Sequence, residues 1–258
     1  MALVRAKAIF QSLLTGALAL TGLFVLAPAL AASSNIDTVK MKCTVRSQGN
    51  INIYLSRDNV RWEMEHTRVT YYLVLPENSL LVYNRAHHVG RLITKELWMS
   101  HQDSRTPVEI RKSTLSTTAF KGRPATLVKL DIKPIDDFRE QSEFFYQSNQ
   151  KRYNEFSKME IIESRDIKLT PMQLQFIRYK HGMSQLNGLP LRITHIYPNG
   201  KRQIVFETDT LENISMPKAF WQPPTGYKRV QKTSQVSMEQ ERYKEAADMF
   251  DTLLLNKP

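Results

Sequence analysis

Apolar and polar residues alternate with a period of two through much of this chain. In "NVRWEMEH", Val60, Trp62 and Met64 fall on one side, and Arg61, Glu63 and Glu65 on the other. "NINIYLSR" does the same with Ile51, Ile53 and Leu55, and the Asp58-Asn59 pair between the two runs predicts a hairpin turn. "VTYYLVLP" is apolar on both sides and turns at Pro76-Glu77-Asn78; "SLLVYN" predicts a fourth strand, and "HVGRLI" and "ELWMS" a fifth and sixth. Short strands joined by tight turns predict an antiparallel meander. Alternation aims Glu63 and Glu65 at solvent.

Residues 101–123 are polar and show no clear period. Alternation returns in "PATLVKLDIK", with Thr126, Val128, Leu130 and Ile132 on one side. The period then lengthens. Phe138, Phe145, Tyr153 and Phe156 approach helical spacing behind Pro134 and Asp136, which predicts an inserted helical segment over about 134–160. "KMEIIES" reads as another strand. "TPMQLQFIRYKHG" predicts a short helix, with Thr170 as cap, Pro171 in the first helical position and Gly182 at the end. Asn199-Gly200 marks a second hairpin, in which Leu191 and Ile193 share a face with His195 and Tyr197. Near the end, Tyr243, Ala246, Ala247, Phe250, Leu253 and Leu254 form one stripe. They predict an amphipathic helix over 235–256, with Ser237 and Gln240 as a capping box.

The first 31 of the 258 residues follow a different plan. Arg5 and Lys7 precede an apolar run, and Ala29-Leu30-Ala31 is a small-x-small site before Ala32. This pattern predicts an export signal cleaved after Ala31. Removing it takes two of the 36 basic residues and none of the 25 acidic ones, so the mature charge is +9. For an exported chain, a basic charge suits an anionic membrane or glycan surface or an envelope protein rather than nucleic acid; the basic residues are scattered rather than clustered, which favours a merely soluble basic surface. Cys43 is the single cysteine, so no intramolecular disulfide can form and the fold must rest on its core. Its setting in "VKMKCTV" predicts a half-buried strand position.

Local signatures of chemistry are few. His87 and His88 point to opposite faces if they lie on a strand, and no residue stands at metal-ligand spacing from them. No nucleophile elbow, Walker loop or dinucleotide fingerprint occurs. Carboxylate pairs drawn from distant strands would leave no local mark. The expectation is a protein without catalytic residues, metal or cofactor.

The order of features resembles the LolA/LolB-like superfamily of periplasmic lipoprotein carriers over most of residues 35–230. The resemblance rests on the Arg61-x-Glu63 strand and on "YYLVLPENSLLVYN". It rests further on "NGLPLRITHIYPNGKRQIVFETDTLENI" and a Phe-x-x-Pro-x-Gly-Tyr close, matched by Phe220, Pro223, Gly226 and Tyr227. It implies an α+β fold, a strongly curved antiparallel half-barrel with helices plugging its concave side, over residues 32–230. It also implies a periplasmic, non-enzymatic carrier that holds a lipid, a lipoprotein acyl chain or another apolar ligand between sheet and helices. Strand alternation nominates Ile51, Ile53, Leu55, Trp62, Met64, Tyr71, Leu73, Leu130 and Ile193 as the cavity lining. An envelope protein–protein interaction or sensing module with the same fold and a filled core is the alternative. In "AFWQPPTGYKRV", Pro223 and Pro224 stiffen an extended segment, and Phe220 and Tyr227 are expected to pin it, mostly buried, to the sheet.

Overall fold

Alternating runs become strands wherever one face has something to bury against. The computed structural model describes residues 35–100, 108–134 and 156–237. The chain divides into Met1–Asn35 and Ile36–Pro258, and the second unit holds the structure below. The predicted signal lies outside the described residues, as does the predicted C-terminal helix beyond Ser237 and most of the predicted insert. What is seen of that insert's end is strand: residues 158–160 open β9 rather than close a helix.

The first six strands are β1 (Asn35–Val45), β2 (Gly49–Leu55), β3 (Val60–Met64), β4 (Val69–Val74), β5 (Ser79–Asn84) and β6 (Val89–Ile93), each antiparallel to the next. A second meander follows: β7 (Val108–Phe120), β8 (Arg123–Pro134), β9 (Lys158–Ser164), β10 (Pro190–Ile196) and β11 (Arg202–Pro217). The two join where β1 lies beside β11. Arg46 N donates to Val205 O at 3.1 Å, and Thr44 Oγ1 to Asp209 Oδ2 at 2.8 Å, across that seam. With the short β12 (Lys228–Arg229) the strand order is β12-β6-β5-β4-β3-β2-β1-β11-β10-β9-β8-β7, one open, sheet-rich layer.

Helices are few and short among the described residues. The α2 helix (Pro171–His181) begins where expected: Thr170 Oγ1 accepts from Gln173 N, and Gln173 Oε1 accepts from Thr170 N. Gly182 ends it in the left-handed region at φ 63°, so its own N–H and that of Met183 reach back to the last carbonyls. Gln173 Nε2 also donates to Ser56 O at 2.7 Å, tying the helix to the β2–β3 turn. Phe176, Ile177 and Tyr179 then drop onto one side of the sheet, its inner face, where they meet Trp62, Leu73, Ile53 and their neighbours in one core.

Two expectations fail locally. "ELWMS" is not a sixth strand but the helix α1 (Lys95–Ser100). Of its apolar residues Trp98 is buried while Leu97 is exposed, and Trp98 Nε1 donates to Asn78 O at 2.9 Å. One buried anchor with a backbone acceptor settles a turn of helix, and two-fold alternation over five residues was too short to exclude it. The stretch without a period contains β7, thirteen residues long. Most of its side chains are exposed, so neither face needed an apolar stripe; pairing with β8 makes the strand.

The outer face carries a second, aromatic layer. Glu63 is buried there, not aimed at solvent, 2.6 Å from Arg61 Nη2 and 3.6 Å from Arg85 Nη1. The Arg61 guanidinium lies over the Phe220 ring at 4.0 Å and the Tyr72 ring at 5.0 Å, and its Nη1 donates to Phe220 O at 2.6 Å. Such a charge pair tolerates burial because Arg85 and the Phe220 carbonyl add partners to it, although Arg61 Nε has none among the described residues. Phe220 and Tyr227 are half-buried, and Trp221 is the most covered of the three aromatics. Tyr227 packs where Gly90 lacks a side chain: a Cβ there would stand 2.7 Å from the ring. The following β12 pairs parallel with β6 and covers that sheet edge. The chain then crosses to the inner face, where α3 (Ser234–Ser237) buries Val236, and Asn84 Nδ2 donates to Val236 O at 2.9 Å.

Candidate functional site: a cavity on the inner face

Register decides which side chains meet at the far end of the inner face. Leu130 on β8 pairs with Met159 on β9, which pairs with His195 on β10. The adjacent row runs Val128, Ile161, Ile193 and Phe206 across β8 to β11. The C-terminal turn of α2 stands over these rows and brings Lys180, His181 and Gly182 to them. Between helix end and strands lies a cavity of about 180 Å³. Its apolar wall includes Leu130, Ile132, Met159, Ile193 and Phe206, and the β1–β2 turn closes one side with Gln48.

Two imidazoles interrupt that wall. His195 stacks on Phe156 with ring centroids 3.8 Å apart and planes 12° apart. His181 stands edge-on between Trp62 at 5.5 Å and Phe206 at 4.7 Å. Neither Nε2 has a hydrogen-bond partner among the described residues, although both are buried. Burial disfavours the charged form, so His195 is pushed down to about 4. His181 falls to about 3, through burial first and the neighbouring Lys180 charge second. Both are neutral at neutral pH. The Lys180 ammonium lies 3.3 Å from the Tyr71 ring centroid and 5.2 Å from that of Trp62, a cation–π arrangement.

The nine residues nominated from alternation all belong to this core or its margin, but they divide. Ile51, Ile53, Leu55, Trp62 and Leu73 are buried in the packed core around α2, and Met64 and Tyr71 are half-buried against it. Leu130 and Ile193 line the cavity. Sequence reasoning did not nominate Met159, Phe206, His181 or His195. The alternation of Leu191, Ile193, His195 and Tyr197 put His195 on the right face; nothing local marked His181, which depends on where α2 ends.

Other reactive groups lie in structural settings. The Cys43 thiol is pushed up to about 12 by burial, beside Thr208 Oγ1 at 3.7 Å. Burial also raises the Glu163 carboxyl, which accepts from Asn187 N at 2.9 Å and holds the loop before β10. Among the described residues no group of three or more His, Cys, Asp or Glu side chains is placed to hold a metal ion.

No protein-family model matches the sequence, and no curated protein matches it. Solved structures do. An uncharacterized conserved protein from Thermus thermophilus is 8% identical with a TM-score of 0.31, over 78% of this chain and 93% of that one. The MucA/MucB complex of Pseudomonas aeruginosa gives 13% identity and a TM-score of 0.34, over 76% of this chain and 59% of that one. This chain therefore spans less than two thirds of the MucB-complex chain it matches. A putative outer membrane lipoprotein-sorting protein domain from Vibrio parahaemolyticus gives 8% and 0.20, over 83% of this chain and 90% of that one. At these values the likenesses assign the chain neither a family nor a function.

Proposed function

We propose that the protein is an exported, non-enzymatic binding protein of LolA-like half-barrel build that holds a single apolar chain in the inner-face cavity. The observation that carries this reading is the cavity itself, walled by Leu130, Ile132, Met159, Ile193 and Phe206. Curvature of the sheet supports the half-barrel: the His181 ring touches Trp62 on β3 and Phe206 on β11, with β2 and β1 between them. In a flat sheet those strands stand about 14 Å apart. Export is supported by the charged, apolar and small-residue order of residues 1–31.

Size limits the ligand. A cavity of about 150 Å³ accommodates benzene, whereas drug-sized sites run from about 300 Å³ upward. A site of 180 Å³ takes one chain end and not the several chains of a full lipid. Six buried methylenes at about 0.8 kcal/mol each contribute about 5 kcal/mol, which alone corresponds to a sub-millimolar Kd. The filled core around α2 and the exposed Leu115 on β7 favour the second reading, a module that binds an envelope protein. Native mass spectrometry of the purified mature protein separates the two. An adduct of lipid mass, displaced by a fluorescent fatty acid, is expected for the first. Protein without an adduct that takes up no apolar probe rejects it, and a co-purified protein partner supports the second.

A further inference from the structure

We propose that one rim of the sheet is a docking surface for an anionic phospholipid bilayer. The preference for lipid over an acidic protein rests in part on the reading of the cavity as a site for an apolar chain; the location of the charge does not.

Basic residues scattered along the chain are collected by the fold. Four hairpin turns lie at one rim: 46–48 after β1, 65–68 after β3, 85–88 after β5 and 197–201 after β10. Hydrogen bonds tie them together: Arg85 N donates to Arg68 O at 3.0 Å, Glu65 N to Asn50 O at 3.1 Å, and Arg46 N to Val205 O at 3.1 Å. These turns carry Arg46, Arg68, Arg85 and Lys201 against one carboxylate, Glu65. β12 brings Lys228 and Arg229 to the same rim, where Lys228 N donates to His88 O at 2.9 Å. The hairpin turns of the opposite rim, 56–59, 75–78 and 121–122, carry Arg57 and Lys121 against Asp58 and Glu77, so their charges cancel.

The six cations of the first rim are exposed. Arg85 stands 3.6 Å from Glu63, and the other five have no carboxylate partner among the described residues. Arg123, by contrast, is held 2.6 Å from Asp166, and the Lys121 ammonium donates to the Thr208 and Asp209 carbonyls. Arg68 and Arg85 also wall an open recess of about 400 Å³ with Glu65 and Ala86. Glu65 Oε1 is already engaged there by Asn52 Nδ2 at 2.9 Å. Guanidinium groups match phosphate oxygens in pairs, which suits a phospholipid head.

Width separates a bilayer from a single acidic segment. The rim runs across the ends of nine neighbouring strands, from β12 through β6, β5, β4, β3, β2, β1 and β11 to β10. Cations spread that far face many anionic heads at once. The β1–β2 turn links the rim to the cavity: Arg46 supplies charge, while Ser47 and Gln48 line the cavity. A bilayer that meets this rim therefore meets the molecule at its hollow end. Each Lys or Arg close to an anionic surface strengthens binding about five-fold at low salt.

The test is sedimentation of the mature full chain with vesicles of phosphatidylcholine alone or with about 30% phosphatidylglycerol, at low and high salt. Binding to the anionic vesicles is expected to be about ten-fold or more tighter and to weaken as salt rises. The triple variant Arg46→Gln/Arg68→Gln/Lys228→Gln should lose about ten-fold or more. The control Arg57→Gln/Arg165→Gln/Lys168→Gln removes the same charge from exposed positions towards the opposite rim and should lose less than about three-fold. Equal losses in the two triples, or equal binding to both kinds of vesicle, overturn the docking surface. Binding to polyglutamate that depends on the rim, with none to anionic vesicles, overturns the bilayer in favour of an acidic protein. Uptake of a fluorescent fatty acid without vesicles reads the cavity separately, and the rim variant is expected to retain it. Vesicle binding in a parent protein that takes up no fatty acid overturns the apolar-chain reading and leaves the docking surface standing.

Discussion

The inner face of this sheet is two surfaces under one element. Along most of its length α2 fills the space: Phe176 meets Trp62 edge to face at 6.4 Å, Tyr179 meets Trp98 at 5.7 Å, and Ile53 and Ile177 are fully buried in the same core. At its C-terminal turn the same helix leaves about 180 Å³ open over β8, β9 and β10. The difference arises from what the helix presents. Three large apolar side chains face the first region, and His181, Gly182 and Met183 face the second. A helix that ends over a sheet stops supplying knobs for its holes. The space beyond the cap is bounded by the strands, the β1–β2 turn and the chain that follows the helix, and no large apolar knob fills it.

Truncation should separate the regions most strongly. Phe176→Ala removes an aromatic ring from a filled core and is expected to cost about 3–5 kcal/mol. Met159→Ala borders a space that is already open, so it loses fewer contacts and should cost about 2 kcal/mol. Urea unfolding of both variants measures the gap. Equal losses would mean that the end over β9 is as well packed as the centre, and the comparison would fail.

Much of the first region was legible in the sequence. Val60, Trp62 and Met64 alternate with charged residues, so their common face was readable, and Thr170, Pro171 and Gly182 bracketed α2. The cavity was legible only in part. Leu130 and Ile193 were placed on the correct face, but alternation cannot tell which inward residue meets a helix and which meets a gap. That depends on the length of α2 and on the pairing of β8 with β9. The outer face was misread at Glu63 because alternation assigns a side and not its cover. The cover comes from Phe220, far along the chain, through Arg61. β7 escaped notice because both of its faces are largely exposed, which leaves no apolar rhythm to read.

Acid should strain the hollow end next. His195 and His181 are held neutral in the folded protein, at about 4 and about 3, against an ordinary value of 6.5. Above pH 6.5 neither state binds these protons, and the stability is fully present. As pH falls below 6.5 the unfolded chain takes up protons that the folded chain refuses until pH 4 and below, so stability declines through that window. By about pH 5 each imidazole should remove about 1–2 kcal/mol. Glu163 acts in the opposite direction, since its raised carboxyl favours the fold as pH falls and so softens the slope. Thermal melts between pH 7 and 5 should show a falling Tm, with a shallower slope in His195→Leu. A slope identical in parent and variant would show that His195 is not buried neutral, and that water reaches its face of the cavity.

The smallest expected effect on stability is the most specific to the contrast. Ile132→Phe adds volume at a position that lines the open space, where the extra carbons have room. Ile53→Phe adds the same atoms to a fully buried position in the filled core, where neighbours must shift. The second should cost about 1–3 kcal/mol through overpacking. The first should change stability by less than about 1 kcal/mol, because new contacts offset the strain. Its effect belongs to binding: by occupying the cavity, the ring introduced by Ile132→Phe should reduce uptake of a fluorescent fatty acid several-fold, while Ile53→Phe leaves the cavity walls in place. Parallel urea melts and probe titrations on the two variants read both quantities. If Ile132→Phe is as destabilising as Ile53→Phe, the open end has no room for a ring. If it is stable and still binds the probe, the ligand lies elsewhere.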